Sequence, residues 1–197
     1  MGPNTVVYRY PARAQPRPIE KENLQLSDEE NSDSYEYPPM RTLHGAVLPF
    51  EIIFDGSVNS EQGNKAQENY YKHLTVKPEQ NKIIYQDLET TRERLNAAGI
   101  YDAQDLSTFD MPLIAKIVGA GVLITSKITV DAKKTDASLK NNSTSLKEYN
   151  TKVILNIYDK NGKAVFTKTE APYSTTTIDS YQTTLDYVMK QTPYYHK

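Results

Sequence analysis

The sequence contains no cysteine and no tryptophan, and only 38% of its 197 residues are hydrophobic. The absence of cysteine excludes a disulfide framework, a thiolate zinc site and a cysteine nucleophile. No run of about eighteen apolar residues occurs, so the sequence predicts no membrane-spanning helix. The net charge of −2 provides no basic excess, which argues against a protein that binds nucleic acid.

The first 41 residues have the composition of a tail. They hold six of the eleven prolines and the acidic run "SDEENSDSYEYPP". Such a segment buries too little apolar surface to offset the entropy that it loses on ordering. We expect residues 1–41 to be a disordered or extended tether, or alternatively a peptide that binds a partner through its tyrosines. We expect residues 42–197 to form a single domain.

The first twenty residues, "MGPNTVVYRYPARAQPRPIE", lack the basic start and the apolar core of a secretory signal peptide. Two locations therefore fit the sequence. The protein is cytosolic, or it belongs to the bacterial envelope and an export signal has been removed, together with any lipid-anchor cysteine that tethered it to a membrane.

Hydrophobic periodicity predicts nine elements after the tail. Asp159–Gly162 contains Asn-Gly, a strong signal for the turn of a β-hairpin. Thr90 and Glu93 match a capping box, although Asp87 is also placed to cap the same helix. The elements are strands at 46–50, 82–86 and 122–130, two hairpin strands on either side of 159–162, and helices at 60–74, 89–100, 110–119 and within 175–193.

The order of these elements is β-α-β-α-α-β-β-β-α. Strands that are joined by helices run parallel with right-handed crossovers, whereas the last three strands form an antiparallel meander. We therefore expect an α/β fold with a mixed sheet of about five strands, three of them parallel, in a two- or three-layer sandwich.

Four segments together resemble a known family. They are "AVLPF" at 46–50, "IIYQDLETTRERLNAAGI" at 83–100, "PLIAKIVGAGVLITSKI" at 112–128 and "NIYDKNGKAVF" at 156–166. Their order and spacing resemble the bacterial envelope superfamily that contains CsgG, LpoB and the N-terminal domain of TolB. The resemblance covers about residues 44–190 and does not include the tail.

The resemblance implies an α/β fold, a location in the periplasm or at the periplasmic face of the outer membrane, and a non-catalytic role. The pore-forming branch of the superfamily uses long amphipathic hairpins, and residues 131–148 are too polar and too short to supply one. A channel role is therefore not implied for this chain, and no motif transfers a particular partner.

Two sets of residues are candidates for chemistry. Glu51, Asp55 and Asp87 lie near expected strand ends, where carboxylates could perform acid–base catalysis or bind a cation. The three histidines show no metal-ligand spacing, which favours structural or surface roles. We predict no catalytic residue, cofactor or metal site; the histidines are His44, His73 and His196.

The aromatic and apolar residues suggest a contact surface. Fifteen tyrosines occur, two pairs of them adjacent in sequence, and exposed tyrosines favour protein interfaces. The apolar run after Pro49 either packs in the core, which is the more common outcome, or faces a partner. The predicted contact residues are Phe50, Ile52, Phe54, Tyr70, Tyr71, Tyr194 and Tyr195.

The sequence thus favours a non-catalytic interaction module of the bacterial envelope that binds another envelope protein or itself. Two alternatives remain open. One is a small-ligand-binding or hydrolytic domain that uses the carboxylates at the strand ends, and the other is a self-assembling structural subunit.

Overall fold

The computed structural model describes residues 41–133, 148–171 and 180–196. These residues form a mixed α/β domain with a seven-stranded sheet. The strands are β1 Arg41–Val47, β2 Glu51–Phe54, β3 Ser57–Val58, β4 Ile84–Tyr85, β5 Ala120–Ala132, β6 Tyr149–Asp159 and β7 Ala164–Glu170. The helices are α1 Ser60–Val76, α2 Leu88–Ala97, α3 Ala103–Leu106, α4 Met111–Val118 and α5 Ser180–Met189, with a 3-10 turn at Pro78–Gln80.

The long strand β5 organises the sheet. Along one edge it pairs with β6 over most of its length, and β7 follows, so the predicted antiparallel meander is confirmed. Along its other edge β5 pairs in parallel first with β1 and then with β2. Beyond these lie β4, parallel to β1, and β3, antiparallel to β2. The parallel arrangement of β4, β1 and β5 is as predicted.

The break after β1 is a bulge and not the end of strand pairing. Val47 lies opposite Ile124, and Glu51 lies opposite Lys127. Between these two pairs the chain advances four residues from β1 to β2 but only three residues along β5. One extra residue is therefore inserted opposite β5, which defines a β-bulge. Pro49 occupies the bulge, where its missing N–H costs no ladder hydrogen bond. The prediction of one strand at 46–50 was wrong because this proline interrupts pairing without stopping it.

Two short strands and one short helix were not predicted. The strands β2 and β3 form a hairpin whose turn places Asp55 and Gly56 at positive φ, 46° and 81°. The helix α3 is capped by Asp102, whose side chain accepts hydrogen bonds from two backbone N–H groups. Each element has only two to four residues, which is too short for hydrophobic periodicity to appear.

The helix ends follow local capping chemistry. The sequence predicts that Asp110 begins α4 as its cap and that Gly119 ends it, and the structure confirms both, with Gly119 in the left-handed conformation. Asp87 caps α2 by accepting hydrogen bonds from Glu89 N and Thr90 N. The predicted capping box was wrong, because Thr90 already lies inside the helix.

The helices cover the sheet from both sides. Alternate side chains of a strand point to opposite faces, so Val47 packs with α1 and α5 whereas Ala46 packs with α2 and α4. The spacing of four residues between Ala66, Tyr70 and Leu74 predicts one apolar stripe along α1, and all three residues are buried. Helical spacing likewise predicts an apolar stripe on α5. Of its residues, Ile178 lies outside the described residues, and the others are buried: Tyr181, Leu185, Val188 and Met189. The result is a helix–sheet–helix sandwich.

Candidate functional site

The three predicted carboxylates serve three separate structural roles. Glu51 forms an ion pair of 2.9 Å with Lys127 on the neighbouring strand. Asp55 accepts a hydrogen bond of 2.7 Å from the backbone N–H of Ala132. Asp87 caps α2. No two of these carboxylates share a hydrogen-bond or ion-pair partner among the described residues.

Three of the predicted contact residues lie in the core. Phe50, Ile52 and Tyr70 are fully buried, and the rings of Phe50 and Tyr70 pack edge to face with 5.4 Å between their centroids. These three cannot meet a partner in the folded protein. For Phe50 and Ile52, this burial is the core-packing outcome that the sequence left open for the apolar run.

The other four predicted contact residues are only partly buried. Phe54, Tyr71, Tyr194 and Tyr195 pack against the core between the sheet and α1 and α5. Their contact with a partner stays a prediction. Tyr195 also lines a groove that is described below.

Burial changes the acidity of the core tyrosines. Desolvation, together with the nearby Tyr85 and Asp186, raises the pKa of the Tyr70 hydroxyl well above its ordinary value. Burial likewise raises the pKa of Tyr85, and to a smaller degree that of Tyr71, which also faces Asp87. These hydroxyls are neutral at physiological pH, as an apolar environment requires.

A groove of about 1030 Å³ lies where α1, α5 and the C-terminal segment meet. We call it the terminal groove. Its volume is at the upper end of the range for ligand sites in proteins. It is lined by His73, Val76, Lys77, Gln80, Asp186, Tyr187, Met189, Lys190, Gln191, Tyr195 and His196.

The C-terminal segment forms one wall of the terminal groove and is held by backbone pairing. Asn81 and Tyr195 form an antiparallel bridge, and Lys82 N donates to Tyr194 O at 2.9 Å. His196 N donates to Gln80 O at 2.6 Å, and the Tyr195 hydroxyl donates to the Gln80 side chain. The tyrosine pair at the end of the chain is thus fixed beside the 3-10 turn.

The helices supply the other two walls. His73 on α1 contacts Asp186 on α5 through Nδ1 and Oδ1. These residues are 113 positions apart, so no spacing in the sequence could have indicated that they meet. His196 lines the same groove. Two of the three histidines are therefore brought to one surface, whereas His44 lies on β1.

The surface of the terminal groove combines apolar and cationic groups. Val76 and Tyr187 are 64% and 59% exposed, which is high for large hydrophobic side chains. Lys77 and Lys190 lie just after the last residues of α1 and α5, where the helix dipole favours a cation. Within the described ranges, no carboxylate forms an ion pair with either lysine.

Two further findings concern the described part of the chain. None of its helices is both long and apolar enough to cross a membrane. Its His, Asp and Glu side chains form no cluster of three or more that could hold a metal ion.

Neither a family model nor a curated protein matches this sequence. Solved structures do show likenesses. Lipoprotein GNA1162 from Neisseria meningitidis has a TM-score of 0.42 and 15% identity, over 75% of this chain and 96% of that one. The putative neuraminyllactose-binding hemagglutinin homolog from Helicobacter pylori has a TM-score of 0.39 and 11% identity, over 82% and 89%.

A third similar structure is the PelC dodecamer from Paraburkholderia phytofirmans, with a TM-score of 0.37 and 17% identity, over 82% of this chain and 95% of that one. All three TM-scores are below 0.5, so these likenesses carry no argument about function. What defines the chain is its own fold, a mixed α/β sandwich with an open groove at the ends of two helices.

Proposed function

We propose that this chain is a non-catalytic module of the bacterial envelope that binds another protein through the terminal groove. One observation carries the proposal: the exposed side chains of Val76 and Tyr187 lie in a large open concavity beside Lys77 and Lys190. Exposed aromatic residues within a concave surface are typical of the centres of protein interfaces.

The chemistry of the terminal groove defines the kind of partner. Two lysines without ion pairs among the described residues face one carboxylate, Asp186, which is already engaged by His73. The complementary segment of a partner carries acidic side chains next to an apolar or aromatic one. Its carboxylates would meet Lys77 and Lys190, and its apolar side chain would pack on Tyr187.

The envelope location rests on the family resemblance, whose motifs coincide with structural features of the described domain. The segment "AVLPF" forms the end of β1 and its bulge. The segment "AGI" contains Gly99, which has a φ of +80° just after α2. The "VGAG" segment ends α4 at Gly119 and begins β5. A tether to the outer membrane through the N-terminus belongs to the same proposal.

The structural roles of the three predicted carboxylates support the non-catalytic part of the proposal. Glu51 is held in an ion pair, Asp55 accepts a hydrogen bond from the backbone of β5, and Asp87 caps α2. A hydrolytic site at the strand ends would require two of them to converge on one substrate.

The test is a comparison of captured proteins. We would immobilise the full chain and the double variant Tyr187→Ala, Lys190→Glu, expose both to a detergent extract of cell envelopes, and identify proteins that only the wild type retains. Tyr101→Ala is the matched control, because Tyr101 is as exposed as Tyr187 but lies outside the groove. A captured protein is then purified, and its dissociation constant is measured with each variant.

We expect at least about tenfold weaker binding by the double variant, as for the loss of a central aromatic contact. We also expect weaker binding at higher salt, because the lysines are exposed. Equal capture by wild type and double variant would exclude the terminal groove as the binding site. Retention of only further copies of this chain would replace the proposal with self-association.

A further inference from the structure

A second and smaller concavity lies at the bulge between β1 and β2. It has a volume of about 270 Å³, and we call it the bulge crevice. Its apolar floor consists of Pro49, Leu95 and Ile100. This volume is slightly below the range for drug-sized ligands, so the crevice fits a smaller molecule.

The order of the strands in the sheet is one reason to expect a ligand at the bulge crevice. β1 lies between β4 and β5, and the three strands are parallel. The chain passes from β1 to β4 through α1 on one face, and returns from β4 to β5 through α2 and α4 on the other. The carboxyl end of β1 is therefore a topological switch point, which is where open α/β sheets bind ligands.

A buried amide fixes the polar wall of the bulge crevice. Gln67 is fully buried, and its Nε2 donates to the Val47 carbonyl at 2.8 Å. Its Oε1 accepts from Arg92 Nη2 at 3.0 Å, and the same nitrogen donates to Glu68 Oε1 at 2.9 Å. The Arg92 guanidinium is thus oriented by two partners, and Glu68 offsets its charge.

Three further polar groups line the bulge crevice and make no hydrogen bond to other described residues. They are the side-chain amides of Asn64 and Asn96 and the hydroxyl of Tyr101. Tyr101 lines the bulge crevice and is 64% exposed, so much of its ring is accessible to solvent. Each amide offers a donor and an acceptor side by side.

We propose that the bulge crevice binds a neutral saccharide unit. Two amides and a guanidinium present adjacent hydrogen-bonding groups that match neighbouring sugar hydroxyls, and the Tyr101 ring offers a flat apolar surface for the C–H face of a pyranose. An anionic ligand fits less well, because Glu68 already neutralises Arg92. This binding is independent of the terminal groove and of any protein partner.

The experiment titrates the full chain with N-acetylglucosamine, glucose and maltose as neutral probes and with glucuronate as the anionic probe. Binding is followed by isothermal calorimetry and by amide chemical shifts. We expect at least one neutral probe to bind with a dissociation constant of about 1 mM or tighter. We expect Asn96→Ala to weaken this binding about threefold to tenfold and Tyr101→Ala about tenfold.

Tyr187→Ala is the matched control, since Tyr187 is similarly exposed but lies in the terminal groove. It should leave saccharide binding unchanged. The proposal is overturned if no neutral probe binds, if glucuronate binds more tightly than every neutral probe, or if neither Asn96→Ala nor Tyr101→Ala weakens binding. Because Tyr187 and Tyr101 are changed separately, failure of this proposal is distinguishable from failure of the proposed protein-binding function.

Discussion

The hydroxyl of Tyr70 is buried in the core beneath α1, and it has no hydrogen-bond partner among the residues that the structure describes. A buried hydroxyl without a partner lowers the free energy of unfolding, because the group gives up its hydrogen bonds to water. The ring contributes in the opposite direction by packing against Phe50. The two parts of this side chain can therefore be separated by mutation.

We predict that Tyr70→Phe keeps the ring packing and raises the free energy of unfolding at pH 7 by about 1 kcal/mol. The folded-state pKa of Tyr70 is raised above its unfolded value, so its neutral form stabilises the fold below about pH 10. That contribution falls by about 1.4 kcal/mol for each pH unit above 10 in the wild type and is absent from the variant. Urea denaturation between pH 7 and 11 measures both effects.

Tyr187→Phe is the control for Tyr70→Phe, because Tyr187 is exposed. Its unfolding should follow the wild-type pH profile. A loss of more than about 1 kcal/mol at pH 7 in Tyr70→Phe would instead show that the hydroxyl makes a stabilising hydrogen bond.

At the scale of residues, the sequence indicated which kinds of side chain could form a contact surface better than it indicated which residues would contact each other. Tyr195 is a predicted contact residue because exposed tyrosines favour interfaces, and it lines the terminal groove. The contact between His73 and Asp186 was not predictable, since tertiary folding alone joins two helices so far apart in sequence. Phe50 and Ile52 were ambiguous because an apolar side chain has the same appearance in a core and in an interface.

At the scale of elements, the bulge explains an otherwise unfavourable glycine. Gly63 lies in the first turns of α1, where glycine costs about 1 kcal/mol relative to alanine. A Cβ atom at this position would lie 2.2 Å from the carbonyl oxygen of Phe50. The helix therefore approaches the bulged backbone more closely than any residue with a side chain would permit.

We predict that Gly63→Ala lowers the free energy of unfolding by about 1–3 kcal/mol, because the backbone of Phe50 cannot move away without disturbing the bulge. This loss opposes the gain in helix propensity. Urea denaturation measures it, with Lys65→Ala, an exposed change in the same helix, as the control that should stay within about 0.5 kcal/mol of the wild type. If Gly63→Ala were more stable than the wild type, α1 would have to lie farther from the bulge than the 2.2 Å from a Cβ at this position to Phe50 O indicates.

The elements that the sequence predicted well are those with local signals. Asp110, Pro112 and Gly119 define both ends of α4, and Asn161-Gly162 lies in the turn between β6 and β7. The bulge, the pairing of β2 with β5 and the small size of β4 depend on contacts between distant segments. Local propensity carries no information about these contacts. The strands β1 to β4 were therefore predicted less accurately than β5, β6 and β7.

At the scale of the whole molecule, the order of helices and strands was enough to predict the architecture. Two helical crossovers followed by a meander permit few sheets, because crossovers are right-handed and consecutive strands tend to be neighbours. The two candidate binding surfaces were not predictable in this way. The terminal groove requires the ends of α1 and α5 to meet the C-terminal segment, and the bulge crevice requires α1 and α2 to meet at Pro49.

The predicted tail ends at residue 41, whereas β1 begins at Arg41. The contribution of the tail to stability is therefore tested on the full chain and on a fragment that begins at Arg41. Both described hydrophobic clusters consist of residues after this point. We therefore predict that the fragment melts within about 2 °C of the full chain, which corresponds to less than about 1 kcal/mol for a domain of this size. A lower melting temperature would make the first forty residues part of the fold.

Light scattering across a concentration series of the same two samples tests self-association. The proposed binding to a different protein predicts a monomeric mass for both samples. Two copies that met groove to groove would bring their lysines, Lys77 and Lys190, close to one another, and like charges repel. Growth of the mass in both samples would locate a self-interface in residues 41–197 and would support the self-assembling alternative. Growth in the full chain alone would assign assembly to residues 1–40, and the double variant Tyr187→Ala, Lys190→Glu would then leave the mass of the full chain unchanged.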